Sequence, residues 1–212
     1  MTDGPLPLSD RVALMMVRTV TRMLQGYEAL FLEELFRTHG ARTFMKWASV
    51  MGDIIETTER DYGHANAHLI ISFSALWAGC DYCGRGHLLA SNMARFQDEG
   101  VLFPLDERQV PALQNMRDDD ALLHLNTLLA DPRWELERAL IRRLYDLRAD
   151  LAVGTTPHDE HLRAALAAWE WLTDCSIVSQ GVPDEQVEPL SKIARKKATL
   201  LPRYRAARDA AS

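Results

Sequence analysis

The sequence predicts an all-α protein that folds as a single domain over residues 1–212. Apolar residues recur at steps of three and four along most of the chain, which is the helical period, and the alternation typical of strands is nowhere sustained. Hydrophobic residues make up 47% and charged residues 25% of the 212 residues, a composition typical of a globular protein with a sizeable core. The chain has no low-complexity linker that would divide it.

The first half of the chain predicts five helices in succession: 9–26, 27–38, 42–60, 64–78 and 80–100. Ser9 is the candidate N-cap of the first helix. One face of that helix collects the apolar residues Val12, Met15, Met16, Val20 and Met23. The fourth helix is apolar nearly all round, which indicates a buried central helix.

The second half of the chain continues the helical pattern after a connector bracketed by Pro104 and Pro111. Three helices are predicted by composition and period: 113–129, 134–151 and 158–180. Pro183 is suited to the first position of a last helix.

Charge and hydropathy exclude several classes of partner. The net charge is −6 and no large basic block is present, so we expect no nucleic-acid partner. The basic run at 192–197 is interpreted as a solvated helix face. The longest apolar stretch, 69–79, is shorter than the roughly 20 residues that a membrane span needs, so no membrane partner is expected. The start of the chain lacks the features of a secretory signal, which favours a cytoplasmic location.

The most informative motif is a pair of cysteines followed by a histidine, in the segment Cys80-Asp81-Tyr82-Cys83-Gly84-Arg85-Gly86-His87. At about 100° per residue, a helix places the two thiols and the imidazole within a sector of about 60° on one face. Two thiols this close can form a disulfide, and the imidazole can take a proton from one of them.

Two chemistries are compatible with this spacing. In the first, the thiols form a redox pair at the start of a helix, where the helix dipole and unpaired N–H groups lower a cysteine pKa. In the second, they bind zinc, which needs four ligands, so that His64 or His68 would complete a set with Cys80, Cys83 and His87. The third cysteine, Cys175, is interpreted as a buried bystander.

The spacing C-x-x-C-x-x-x-H after a buried apolar helix and a glycine resembles the alkylhydroperoxidase D branch of the carboxymuconolactone decarboxylase family. The resemblance is specific over residues 64–97, within a motif core of about 42–100. It implies an alkylhydroperoxidase D-like all-α fold in homo-oligomers (dimers, trimers or hexamers). It also implies that Cys80 and Cys83 cycle between dithiol and disulfide while His87 feeds a proton relay.

One position departs from the family pattern. Members usually place a glutamate twelve residues before the first cysteine, and this chain has His68 there. A neutral imidazole cannot stabilise an imidazolium as a carboxylate does. Either another acid replaces the glutamate, the candidates being Glu56, Glu59 and Asp61, or the chemistry has changed. His64 and His68 are four residues apart on one helix face, so a mixed site for zinc, copper or iron with the motif residues is the second possibility.

The sequence therefore predicts a thiol-dependent oxidoreductase of the peroxidase type with four catalytic residues: His68, Cys80, Cys83 and His87. Its substrate is a small peroxide or a disulfide, an external dithiol is its reductant, and no cofactor is required. Two alternatives stay open. One is a metal-dependent enzyme of specialised metabolism on the same fold, and the other is a non-catalytic helical oligomer that senses redox state.

Overall fold

The computed structural model describes residues 5–152, 156–174 and 182–211, and every regular element in this part of the chain is helical. The all-α prediction is therefore confirmed. The α-helices of the described part are α1 (Leu8–Gln25), α2 (Leu32–Trp77), α3 (Asp81–Glu99), α4 (Val110–Gln114), α5 (Asp118–Leu128), α6 (Glu135–Arg148), α7 (Pro157–Asp174) and α8 (Lys197–Ala211). Single turns of 3₁₀-helix lie at Glu107–Gln109, Pro132–Trp134, Asp184–Gln186 and Lys192–Lys196.

Helix α2 combines three of the predicted helices, and two glycines interrupt it. Gly40 has φ 71° and ψ 164°, and Gly63 has φ 75° and ψ 163°. Both conformations lie in a region that is essentially restricted to glycine. Each glycine redirects the chain without a loop, so residues on either side of it no longer follow one helical register.

The last segment of α2, residues 64–77, lies at the centre of the molecule, and every residue from 67 to 77 is buried. Leu69, Ile70 and Phe73 pack in one apolar cluster with residues of α3, α5 and α6. The predicted buried central helix is confirmed. Gly79, with φ 90°, then turns the chain into α3.

Two features predicted from the sequence for the second half of the chain differ in the structure. The predicted helix 113–129 is two helices, because α4 ends at Gln114 and α5 begins at Asp118. Pro183 does not open the last helix: it precedes a single 3₁₀ turn, and α8 begins at Lys197. The predicted helix 158–180 corresponds to α7 as far as Asp174. The rest of that prediction, and Cys175, lie outside the described residues.

The apolar face of α1 points away from the rest of the chain. Met15, Met16 and Met23 are 62%, 60% and 71% exposed, and only Leu14 of this helix is buried. The predicted helix is present, but Ser9 does not cap it, since its hydroxyl donates to Asp10 and Pro7 occupies the N-cap position.

None of the helices in the described part of the chain is long and apolar enough to cross a bilayer.

Candidate dithiol site

The two thiols lie at the N-terminus of α3. Cys80 is the N-cap residue, with extended backbone angles of φ −90° and ψ 93°. The backbone N–H of Cys83 donates to Cys80 Sγ at 3.2 Å, in the way that a serine or aspartate cap would accept it. Both cysteines are free thiols, and they are only 2% and 1% exposed. The predicted juxtaposition of the two sulfurs on one turn is thus present in the structure.

The two sulfurs have different surroundings. The neighbouring Cys80 sulfur, burial and the charge of Asp81 together raise the pKa of the Cys83 thiol well above its ordinary value. Cys80 Sγ, in contrast, accepts a backbone N–H at a helix N-terminus, where partial positive charge favours an anion. The sequence led us to expect a lowered cysteine pKa, and for Cys83 the direction is the opposite. Of the two sulfurs, Cys80 Sγ is the one that accepts a hydrogen bond from the helix N-terminus.

Behind the thiols, a chain of hydrogen bonds connects two buried imidazoles to a carboxylate. His68 Nδ1 lies 3.0 Å from His87 Nδ1, and the two rings are stacked at 5.2 Å between centroids. His68 Nε2 lies 3.2 Å from Glu59 Oε1. Among the three acids proposed as substitutes for the missing glutamate, Glu59 is the one in contact with His68. An extra imidazole thus extends the chain between the carboxylate and His87.

The break at Gly63 makes this contact possible. Glu59 and His68 are nine residues apart, so an uninterrupted helix would place them about 180° apart around its axis and about 13 Å apart along it. With φ 75° and ψ 163° at Gly63, the chain changes direction between them and Glu59 reaches the face that carries His68.

The protonation states of the three residues in this hydrogen-bond chain follow from their burial and from the charges around them. The ring nitrogens of His64 and His68, with the Lys192 ammonium, hold the pKa of Glu59 well below its ordinary range, so Glu59 is an anion that only accepts. Burial lowers the pKa of both His68 and His87, and both rings are neutral. His68 therefore donates from Nε2 to Glu59 and accepts at Nδ1, and His87 donates from its own Nδ1. The second nitrogen of His87, Nε2, is left as an unprotonated base.

His87 lies on α3 one turn after Cys83, as predicted, and the edge of the Trp169 ring packs against it at 5.7 Å. Within the described part of the chain, His87 Nε2 has no hydrogen-bond partner, and no direct bond joins it to either sulfur. Proton transfer between the thiols and His87 thus requires a bridging group such as a water molecule or the substrate.

Arg85 holds a distant segment of the chain against α3. It is buried, and its guanidinium contacts Asp81, the carbonyl of Val182 and the carboxylate of Asp184. It neither pairs with a thiolate nor points into solvent. Arg85 instead fastens the segment that begins at Val182 to α3.

The glycine at position 86 has a packing role. A Cβ at Gly86 would lie 2.8 Å from the carbonyl oxygen of Glu188 and would overlap the Leu190 side chain. The carbonyl of Gly86 accepts from the Leu190 N–H at 3.0 Å. The segment 187–191 therefore crosses α3 in direct backbone contact, which carries Ser191 and Lys192 to the histidines of α2.

A cavity of about 670 Å³ lies near the dithiol, with Tyr27, Leu30 and Glu188 among the residues that line it. Neither sulfur lines this cavity. Burial and the nearby Cys83 sulfur raise the pKa of the Tyr27 phenol. Tyr27 is therefore a cavity residue that also lies near a buried thiol.

Comparisons with known proteins give no family for this chain. No protein-family model, no curated protein and no solved structure matches it. The resemblance over residues 64–97 therefore rests on the motif residues alone.

Four residues of the site were not predicted from the sequence to lie there: Tyr27, Ser191, Lys192 and Trp169. Lys192 was assigned to a solvated basic face, and its ammonium contacts Glu59 Oε2 at 2.6 Å. Neither Ser191 nor Lys192 has a sequence signal that points to α2, since more than a hundred residues separate them from it.

Proposed function

We propose that this chain is a thiol-dependent oxidoreductase that reduces an organic hydroperoxide or a small disulfide and is regenerated by an external dithiol. One observation carries the proposal: two adjacent thiols at a helix N-terminus lie one turn from His87, which ends a Glu59–His68–His87 hydrogen-bond chain. Such a chain fixes the tautomer of the last imidazole, as a carboxylate does in hydrolase triads.

The reaction begins with removal of one proton from the pair. His87 Nε2 takes it through a bridging water, and the negative charge stays on Cys80 at the helix N-terminus. The Cys80 thiolate attacks the O–O bond of a hydroperoxide, which leaves a sulfenic acid on Cys80 and, after protonation, an alcohol. Two electrons pass from sulfur to the peroxide in this step.

The second thiol resolves the sulfenic acid. Cys83 attacks Cys80 Sγ, a water molecule leaves, and a Cys80–Cys83 disulfide forms. The raised pKa of Cys83 keeps this thiol protonated until that step. An external dithiol then returns two electrons and two protons by thiol–disulfide exchange. The account needs no bound cofactor.

Turnover with cumene hydroperoxide and dithiothreitol tests the proposal. We expect Cys80→Ser and Cys83→Ser each to abolish turnover, whereas Cys175→Ser, as the matched control, retains it. Cys83→Ser should still react once and yield a sulfenic acid on Cys80 that dimedone traps. Unchanged turnover in both Cys80→Ser and Cys83→Ser would end the proposal.

The hydrogen-bond chain has its own test in Glu59→Gln. A glutamine can donate its amide N–H to His68 Nε2, which reverses the tautomers and places a proton on His87 Nε2. By analogy with the carboxylate of a hydrolase triad, the rate should fall by about tenfold to 10⁴-fold. Glu56→Gln changes an exposed carboxylate of the same helix and should leave the rate unchanged. Equal rates in the two variants would remove the relay from the mechanism.

A metal-dependent enzyme with cysteine ligands has less support. In the part of the chain that the structure describes, the group of candidate ligand atoms within 4.8 Å of one another comprises Glu59, His64 and His68. That group does not include Cys80, Cys83 or His87.

A further inference from the structure

Two imidazoles that follow the Gly63 break converge on one carboxylate oxygen of a residue that precedes it. Glu59 Oε1 lies 2.8 Å from His64 Nδ1 and 3.2 Å from His68 Nε2. The direction of the His64 contact does not satisfy a hydrogen bond, so Nδ1 is a buried nitrogen without a hydrogen-bond partner in the described chain. Nδ1 therefore points beside the carboxylate oxygen rather than at it, and a cation placed beside the 2.8 Å contact can bind both atoms.

The distances suit a first-row transition metal. With metal–ligand bonds of about 2.1 Å, contacts of 2.8 Å and 3.2 Å correspond to ligand–metal–ligand angles of about 84° and 99°. These are near the angles between neighbouring ligands in octahedral and five-coordinate sites. Two imidazoles and one carboxylate are a ligand set that binds Zn²⁺ and related divalent ions with positions left open for water.

The atoms behind the two histidines are arranged as they are around metal sites. A metal-bound histidine usually donates its other ring N–H to a fixed acceptor. His64 Nε2 lies 3.2 Å from Ser191 Oγ, and His68 Nδ1 lies 3.0 Å from His87 Nδ1. Each imidazole therefore has a partner on the side that would face away from the ion.

We propose that Glu59, His64 and His68 bind one divalent transition-metal ion of the Zn²⁺ class, and that the bound ion switches off the base at His87. The second part rests on the proposed function, whereas the first part does not.

The switch follows from the tautomers. An ion on His68 Nε2 displaces the proton that this nitrogen donates to Glu59, so the proton of His68 must be on Nδ1. His68 then donates to His87 Nδ1, and the proton of His87 moves to Nε2. Each ring keeps one proton, so none is lost, but the nitrogen that accepted a thiol proton has become a donor. The dithiol loses its base while its sulfurs stay in place.

Lys192 competes with the ion. Its ammonium neutralises Glu59 in the metal-free protein, and its side chain is 64% exposed, so it can move into solvent when an ion arrives. Removing this positive charge should tighten metal binding about tenfold, the order expected for a dication and an ammonium about 5 Å apart in water.

Titration of the full-length, chelator-treated protein with Co²⁺, followed by absorption, tests the site. We expect one ion per chain, visible d–d bands and no thiolate charge-transfer band. His64→Ala should weaken binding by about 100-fold or more, because even a supporting residue behind a ligand is worth 10–100-fold. His124→Ala, which removes an exposed histidine on α5, is the matched control and should bind as the unmodified chain does.

Lys192→Ala controls for misfolding, because a misfolded protein would not bind the metal ion more tightly than the unmodified chain. Affinity that is unchanged in both His64→Ala and Lys192→Ala would overturn the site. A thiolate charge-transfer band that disappears in Cys80→Ser would also overturn it, by moving the ion to the dithiol.

Hydroperoxide turnover tests the switch. Zn²⁺ at saturating occupancy should inhibit the unmodified chain and leave His64→Ala at its own metal-free rate. Full turnover of the Zn²⁺-saturated unmodified chain would overturn the switch, as would equal inhibition of His64→Ala. If the metal-free protein shows no turnover at all, the proposed function and the switch fail together, and the Co²⁺ titration still decides the metal site.

Discussion

Replacing Gly63 with alanine should destabilise the protein through its backbone alone. The residue has φ 75° and ψ 163°, a conformation that side-chain-bearing residues adopt only at a cost of about 1–3 kcal/mol. A Cβ at this position would meet no atom within 4 Å, so no steric clash adds to that cost. We expect Gly63→Ala to lose about 1–3 kcal/mol of unfolding free energy, measured by urea denaturation and circular dichroism.

Gly52 provides a matched control in the same helix. It also has no atom within 4 Å of an added Cβ, but its backbone is helical. Alanine is favoured over glycine in a helix interior by about 1 kcal/mol, so Gly52→Ala should stabilise the protein. The two variants should therefore differ by about 2–4 kcal/mol, with opposite signs relative to the unmodified chain.

The activity of Gly63→Ala tests the link between the break and the site. A variant that relieves its strain by continuing the helix moves Glu59 about 180° away from His68, so turnover should fall together with stability. If Gly63→Ala were as stable and as active as Gly52→Ala, the break would not be what positions Glu59.

Three further results are expected. The alkylation rate of Cys83 should reach its midpoint at a higher pH than that of an ordinary thiol, because the pKa of Cys83 is raised. Cys80→Ala removes the largest cause and should shift the profile to lower pH, whereas a midpoint at or below about 8.5 in the unmodified chain would contradict this. Tyr27→Ala should speed the reaction of the dithiol with a bulky thiol reagent by opening the wall of the cavity, whereas Tyr27→Phe should not; equal rates would exclude this path. The resemblance implies a homo-oligomer, and the exposed apolar face of α1 is where we expect two copies to pack. Met16→Glu with Met23→Glu should then lower the mass measured by light scattering, and an unchanged mass would exclude that face.

Helical period and motif spacing predicted the parts of this structure that depend on local geometry. The buried helix around Leu69 to Trp77 follows from apolar residues on every side, and the adjacency of Cys80 and Cys83 follows from one helical turn. The expected pKa of the thiols did not follow. A helix N-terminus favours a thiolate, but only one sulfur can carry that charge while the other lies buried beside it.

Contacts made across a change of chain direction could not be predicted from spacing. The motif showed that a carboxylate was missing beside His68 and offered three candidates, but the choice of Glu59 depends on the backbone angles of Gly63. Ser191 and Lys192 reach the histidines because Gly86 lets a distant segment cross α3, which neither residue signals by itself. The role of Arg85 could not be predicted for the same reason, since its partners Val182 and Asp184 lie in the distant stretch that leads into that segment.

Mass spectrometry of the Cys175→Ser protein after one equivalent of cumene hydroperoxide is the most direct measurement of the dithiol chemistry. We expect a loss of two hydrogens, a peptide pair that joins Cys80 to Cys83, and full reversal by dithiothreitol. An unchanged mass, or added oxygen on either cysteine without a disulfide, would contradict it.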